Sequence, residues 1–347
     1  MHLLVLGGGG FLGHHVVAEA LRADHDVTVF SRRGEAPFPG VEALAGDRQG
    51  DLSALEDRSF DAVLDTFSDP DAVAATARLL SGSVGAYGYV SGMSVYHPDG
   101  PAVPGAGDPV RRAGEARSPD GRPVDDADDP LQERSLTKLA GEDAVAREFD
   151  GPAPVFRVGI MVGPHDPTDR FTWWPVRLAR ALEGSADRTV LAPGDPGRVV
   201  QYSDARDIAA FAVATLDRRA DGVFDTVGPG RAEPLFAVLD ACLRAAGGAP
   251  GDVEWVWAGE DVLRDALTGT PEEERPLWFP EDQIPQDAID ASSGLAAGLR
   301  FRPVEDTARD VLALWRDQDR RELVAGFAPG TERELVDRSR RSTAATR

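Results

Sequence analysis

Apolar residues recur along the first 160 or so positions in two alternating rhythms. Short, nearly uninterrupted apolar runs are followed by stretches in which apolar residues return every three or four positions. His2–Leu6 is the first such run, and 11–22 is the first stretch at helical period. The segments 26–30, 41–45, 62–65 and 86–91 read as further strands, with a helix over 70–80. Strands covered on both faces read as continuous apolar runs rather than as alternating ones. Strands alternating with helices predict an α/β fold. The class expected is a Rossmann-type doubly wound parallel sheet of about seven strands, with a small C-terminal α/β substrate lobe.

From 92 to 130 the chain is rich in Pro, Gly, Asp and Arg. An irregular stretch of that length inside a compact domain is usually a functional loop or a disordered one. A long helix follows over 131–149, and a sixth strand over 153–158. Then come the loop GPHDPTDR and an aromatic cluster of Phe171, Trp173 and Trp174. VVQY at 199–202 is strand-like, 205–216 helical, 223–227 a strand and 235–246 a helix. The expected domains are 1–165 for nucleotide binding, also receiving elements from about 199–228, and 166–317 for an interleaved substrate lobe. A charged, mobile tail is expected over 318–347, ending RSRRSTAATR.

Composition narrows the classes. The 347 residues, 42% of them hydrophobic, suffice for one large domain or a large domain with a smaller lobe. The single cysteine, Cys242, excludes a disulfide framework and a cysteine-based zinc site. A net charge of −22 disfavours nucleic acid and anionic membrane as partners. No apolar run approaches the roughly 18 residues of a membrane span. The opening MHLLVLGGGG has no charged leader, so a cytoplasmic protein is expected. Among the 37 Lys and Arg residues only Lys138 is a lysine. An arginine-rich background reflects codon usage, and one lysine in it can be chance. It can also mark a site that needs a compact ammonium rather than a planar fork.

The strongest local motif is LLVLGGGGFLGHHVV. Gly7, Gly10 and Gly13 fit GxxGxxG; Gly8, Gly10 and Gly13 fit GxGxxG. The motif joins a strand to a helix, the context a dinucleotide site requires. The glycines permit the tight turn, and the N–H groups of the helix start at Phe11, Leu12 and Gly13 face a pyrophosphate. The second strand ends Phe30-Ser31-Arg32-Arg33, without the acid that usually bonds the NAD ribose. Arginines there can bind a 2′-phosphate, so NADP is favoured, with NAD also allowed. Asp47 can bond an adenine amine or serve a turn.

GGGGFLG, then YVSGMSVY, SLTKLAGEDAV and FRVGIMVGP together resemble the extended, atypical short-chain dehydrogenase/reductases. More narrowly they resemble the NAD-dependent epimerase/dehydratase branch, over roughly 1–315. GPHDPTDRFTWWPVRLAR and LAPGDPGRVVQYSDARDIA resemble a bacterial subgroup related to plastid stem-loop RNA-binding proteins. The resemblance implies a Ser or Thr after the fifth strand and a Tyr-x-x-x-Lys on the next helix. The tyrosine is the acid/base; the lysine bonds the nicotinamide ribose and lowers the tyrosine pKa. Lys138 falls on the lysine, but the tyrosine position is Arg134 and the serine position is Gly92, flanked by Ser91 and Ser94. Arginine carries no releasable proton near neutrality. The cofactor half of the motif is retained and the proton-transfer half is altered.

Replacement proton donors by sequence proximity are Ser94, Tyr96, His97, Ser135 and Thr137; Tyr96 belongs to an ordinary SVY pattern and is better read as packing, and His97 is either a proton donor or a residue at the mouth of the loop. Arg157, His165 and Arg170 are candidates for gripping an anionic or carbonyl-bearing substrate. Trp173 and Trp174 either wall a substrate pocket or fill a core. His165, Asp166 and Asp169 lack a metal motif, so no metal is expected. His14 either approaches the cofactor phosphates or is exposed. The function expected is an NADP-linked oxidoreductase, epimerase or dehydratase on a small hydroxyl- or carbonyl-bearing metabolite, with substrate over the nicotinamide. A bacterial, specialised-metabolism setting fits the composition by association, and a homodimer is allowed. The alternatives are a non-redox isomerisation, elimination or cyclisation on the same scaffold and, last, a non-enzymatic binding protein.

Overall fold

The computed structural model describes residues 1–97, 99–116, 122–229, 233–271, 274–278 and 288–345. In chain order the elements are β1 (His2–Leu6), α1 (Phe11–Arg22), β2 (Asp26–Ser31), β3 (Glu42–Ala45), β4 (Ala62–Asp65), α2 (Pro70–Leu80), β5 (Tyr87–Gly92), α3 (Pro130–Glu148) and β6 (Val155–Val158). They continue as β7 (Met161–Val162), α4 (Trp173–Leu182), β8 (Thr189–Pro193), β9 (Val199–Val200), β10 (Ser203–Asp204), α5 (Ala205–Asp217) and β11 (Val223–Asp225). The last are β12 (Glu233–Pro234), α6 (Leu235–Ala245), β13 (Glu254–Ala258), α7 (Glu260–Leu267), α8 (Ser292–Ala296), α9 (Val304–Asp317) and α10 (Pro329–Ala345).

The chain divides into two compact units, 1–160 with 205–230 and 288–301, and 161–204 with 231–287 and 302–347. The first holds a seven-stranded sheet in the order β11-β6-β5-β4-β1-β2-β3, with every pairing parallel. This is the Rossmann-type sheet the sequence pattern predicts. Leu3 to Leu6 are fully buried because α1 and α5 pack together, as do α2 and α3, and the sheet is covered. Strand order reverses between β1 and β4, where Leu6 stands in register with Asp65. The crevice outside the carboxyl ends of such strands is where ligands bind in open α/β sheets. The helices α2 and α3 each begin Asp-Pro. Asp69 and Asp129 accept from the backbone N–H groups of their first turns, and proline takes the position whose N–H would be unsatisfied.

The loop between β5 and α3 is held in place along its described part. Tyr96 bridges to Val110 and Gly105 to Asp290. Buried Arg111 bonds Gln132 Oε1, and Asp126 accepts from the N–H groups of Gly114 and Ala116. Residues 98 and 117–121 of this loop lie outside the described residues.

In the second unit α4, α6 and α9 pack on one another, and β8 pairs in parallel with β13 under α10. Here the structure corrects two expectations. VVQY is not one strand of the main sheet: β9 pairs with β12 and β10 with β7, all in this unit. Nor is 318–347 an unanchored tail. The helix α10 buries Leu335, Val336 and Ser339, and its Glu332 meets Arg177 at 2.8 Å, both buried. Two apolar residues among many charges conceal that stripe in the sequence. Residues 346 and 347, at the end of RSRRSTAATR, lie outside the described residues. No described helix is long and apolar enough to cross a membrane.

Candidate active site

The turn after β1 is shaped by what glycine lacks. Gly7 has φ of 100°, and a Cβ there would strike the Thr66 hydroxyl. A Cβ on Gly13 would strike the Gly7 carbonyl, so α1 sits directly on the turn. Gly10 caps α1 without a side-chain acceptor, and no acid lies in its first turn. Gly9 and Gly10 are exposed, and a Cβ on Gly9 would meet nothing within 4 Å. The N–H groups of Phe11, Leu12 and Gly13 therefore open the helix toward an uncrowded space with positive potential. That arrangement fits a dinucleotide pyrophosphate.

Beside it, Ser31 ends β2 with its carbonyl accepting from the N–H groups of Gly34 and Gly46, at 3.2 Å each. This curls the backbone so that Arg32 and Arg33 are both exposed. His14 is half-buried and lies against Phe38 from the following loop, with ring centroids 4.7 Å apart. It belongs to a packed aromatic contact rather than to an exposed helix face. Asp47 is exposed, and its Oδ1 accepts from Gln49 N at 3.0 Å, as a turn residue does.

One group at this end escaped the sequence reading. Asp65, fully buried at the end of β4, accepts from both terminal nitrogens of Arg48 (2.9 and 2.6 Å) and from the Tyr87 hydroxyl (2.6 Å). Its signal in the sequence was an acid closing an otherwise apolar strand.

Lys138 lies on α3 where the helix crosses β5. Its Nζ donates to the Val90 carbonyl at 3.0 Å and stands 5.5 Å from the centre of the Tyr89 ring. It forms no ion pair with any described residue. Burial pushes its ammonium down to about 8; positive Arg134 acts in the same direction, and Asp65 and Glu142 oppose. The buried hydroxyls of Tyr89 and Ser91 have no hydrogen-bond partner. Arg134, one turn before Lys138, is exposed. Gly92 offers open space, since its nearest would-be Cβ neighbours are Ser94 Oγ and the Val158 carbonyl at 3.8 Å.

The proposed replacement donors fare unequally. Tyr96 is buried and donates to Asp225 Oδ1 at 2.6 Å, while burial and the Asp225 charge raise its pKa. The structure thus makes it a packing residue, the better of its two readings, and corrects the alternative of an acid. His97 faces Glu115 at 3.2 Å and accepts from Asp99 N, within the loop. Ser135 turns its hydroxyl to the carbonyls of Ser94 and Leu131, and Thr137 to that of Glu133. Ser94 is half-buried, its carbonyl also receiving Arg111 Nε. Arg157 is no substrate grip: it is buried, pairs through two nitrogens with Glu142 (3.0 and 2.8 Å), and lies over the Tyr96 ring. Charge pairing keeps so buried an arginine inside. Asp225 and Glu142 are the partners that sequence alone could not assign.

In the second unit, His165 and Arg170 sit on the loop before α4. His165 is exposed at φ of 66°, and Arg170 is half-buried. Asp166 is buried with Oδ2 unpartnered, and burial raises its pKa. Asp169 is paired with Arg321 at 2.6 Å. Trp173 and Trp174 are core residues, correcting the pocket-wall alternative. Their rings meet edge to face at 4.6 Å, and Trp174 Nε1 donates to the Pro276 carbonyl. Among the described residues no group of three or more His, Cys, Asp and Glu could hold a metal ion.

Residues 3–87 match the model of the NAD dependent epimerase/dehydratase family. The resemblance read from the glycine motif thus holds for the first part of the sheet unit, from β1 to the start of β5. No curated protein matches the sequence. Among solved structures, MoeE5 in complex with UDP-glucose and NAD is 18% identical at a TM-score of 0.60, covering 92% of this chain and 99% of its own. The enzyme WbmH of Bordetella bronchiseptica, in complex with NAD+, is 18% identical at a TM-score of 0.59, with 91% and 98% covered. The UDP-N-acetylglucosamine 4-epimerase of Bacillus cereus is 14% identical at a TM-score of 0.61, with 94% and 100% covered. At these identities the likeness is one of fold.

Proposed function

We propose that the protein is an NADP-linked enzyme of the epimerase/dehydratase type, acting on a small hydroxyl- or carbonyl-bearing metabolite. The observation that carries this is the open glycine turn at the start of α1, flanked by exposed Arg32 and Arg33. The first-turn N–H groups of α1 hold the pyrophosphate. The two arginines supply charge-assisted hydrogen bonds to a 2′-phosphate. Lys138 bonds the nicotinamide ribose. The cofactor, when bound, supplies or accepts a hydride. NAD and UDP-sugars in the solved relatives make a sugar nucleotide one member of the substrate class. A reducing, cytoplasmic setting agrees with the single, buried Cys242.

Titration of NADPH and NADH by nicotinamide fluorescence tests the reading. NADPH is expected to bind about 1–3 kcal/mol more tightly, the worth of hydrogen bonds to charged groups. Arg32→Ala with Arg33→Ala removes most of that difference. Equal affinities in the parent protein refute the NADP preference, and no binding of either refutes the cofactor.

A non-redox reaction on the same scaffold remains the second reading. It is favoured by Gly92, which has no side chain to polarise a carbonyl, and by Arg134 in the place of the tyrosine. A substrate converted at unchanged oxidation level, with no change in nicotinamide absorbance, would select it.

A further inference from the structure

The proton-transfer groups that the sequence puts near Lys138 are diverted one by one. Tyr96 is sealed against Asp225, Ser135 is turned to two carbonyls, and His97 belongs to the loop with Glu115. Arg134 has no proton to give near neutrality. Thr137 is turned to the Glu133 carbonyl, burial raises the pKa of Tyr89, and Ser91 and Ser94 are plain alcohols; the group near enough to neutrality to exchange a proton is Lys138, the only lysine of the chain.

Its setting differs from that of a structural lysine. Among the described residues the Nζ has one acceptor, the neutral Val90 carbonyl, and uses one of its three N–H groups on it. The side chain is half-buried, with its Nζ over the Tyr89 ring. The charged groups around it come from three elements. On α3 they are Arg134 and Glu142; from β4 comes Asp65; on β5 Tyr89 presents an unpartnered hydroxyl. Neither carboxylate is available to it as a close partner. Asp65 is taken by Arg48 and Tyr87, and Glu142 is taken by Arg157.

We propose that the Lys138 amine is itself the proton donor and acceptor of this site, in place of the tyrosine that Arg134 replaces. This rests on the cofactor reading above. In the reducing direction a bound nicotinamide would supply a hydride to the substrate's carbonyl carbon, so that a C–H bond would form and the carbonyl π pair would move onto oxygen. One N–H bond of Lys138 breaks, and its proton goes to that oxygen to form the hydroxyl. The substrate is reduced and NADPH oxidised, and the neutral amine recovers its proton from water. In the oxidising direction the neutral amine accepts the hydroxyl proton. Arg134 is a positioning charge: it favours the neutral amine without touching substrate.

A single lysine makes the test direct. Protein labelled with lysine carrying ¹³C at the ε-carbon gives one lysine resonance, which reports the amine's titration without cofactor or turnover. The midpoint is expected near 8, against about 10.4 for an ordinary lysine, and Arg134→Ala should move it upward. A midpoint above 10 overturns the proposal.

The functional arm uses NADPH with phenanthrenequinone as the carbonyl probe. The parent's kcat should fall as pH rises through the NMR midpoint, and in Arg134→Ala both should shift together. A kcat profile that stays put while the NMR midpoint moves overturns the role. Lys138→Arg keeps a positive charge but cannot release a proton. It should lose 10²–10⁴-fold in kcat, the usual range for a general acid, with NADPH affinity within about fivefold. Retention of a tenth or more of kcat overturns the role and leaves Lys138 as a ribose ligand only. Absence of any NADPH fluorescence change overturns the cofactor reading and this role with it. That outcome is separate from a wrong midpoint, which overturns the role alone.

Discussion

The turn after β1 and the segment around β5 and α3 lie at the same end of the same sheet, yet they have been treated differently. In the turn, side chains are missing where a ligand needs backbone. A Cβ on Gly7 would strike Thr66 and one on Gly13 the Gly7 carbonyl, and no acid lies in the first turn of α1. Around β5 and α3, side chains are abundant but committed. Tyr96, Asp225, Arg157 and Glu142 satisfy one another in the interior, leaving Lys138 as the loosely held ionisable group. Geometry made of backbone tolerates no addition, whereas geometry made of side chains can be rewired.

The largest effect expected from this contrast is at Gly13. Gly13→Val puts a branched side chain against the Gly7 carbonyl and the Gly8 Cα, and backbone has to move. Thermal or urea unfolding should show a loss of about 3 kcal/mol, the upper end for overpacking. NADPH binding should disappear. Retained binding would mean that the turn is not the pyrophosphate site.

A smaller effect, of opposite sign, is expected at Lys138. Its ammonium is less stable in the fold than in water, since burial lowers its pKa from 10.5 to about 8. Over that window the unfolded chain binds the extra proton, so stability rises with pH. The cost is full below pH 8 and gone above 10.5. Lys138→Met should therefore stabilise the protein at pH 7 by about 2 kcal/mol, allowing for the partial exposure of the side chain. The gain should shrink as pH rises through the window. Destabilisation at pH 7 would show that the charge is held more tightly than its geometry implies.

The smallest effect expected is from installing the Ser and Tyr that the resemblance implies. Gly92 has open space beside it and Arg134 is exposed. Gly92→Ser with Arg134→Tyr should leave stability within about 0.5 kcal/mol, as for surface changes generally. A pH profile of NADPH-dependent phenanthrenequinone reduction then separates two outcomes. If the double variant exceeds the parent at every pH, the present residues are losses. If the parent remains ahead below its own midpoint, they form a working alternative.

The sheet was readable from β1 to β5 because strands covered by helices read as nearly continuous apolar runs. The glycine turn was readable because its chemistry resides in the backbone of consecutive residues. Asp69-Pro70 and Asp129-Pro130 announced their helices in the same local way. Lys138 could be singled out by its rarity and its place in KLAGE. The remainder depended on partners far apart in the chain. Tyr96 and Asp225 are 129 positions apart, and Arg177 and Glu332 are 155. No local pattern records which arginine meets which acid, so Arg157 looked free in the sequence and is bound in the structure. Trp173 and Trp174 had two readings until the fold surrounded them, and α10 looked like a mobile tail until β8 and β13 lay beneath it. Local sequence determined the backbone that can receive a dinucleotide. Only tertiary packing decided which charged side chains neutralise each other, because burial makes an unpaired charge too costly to leave alone.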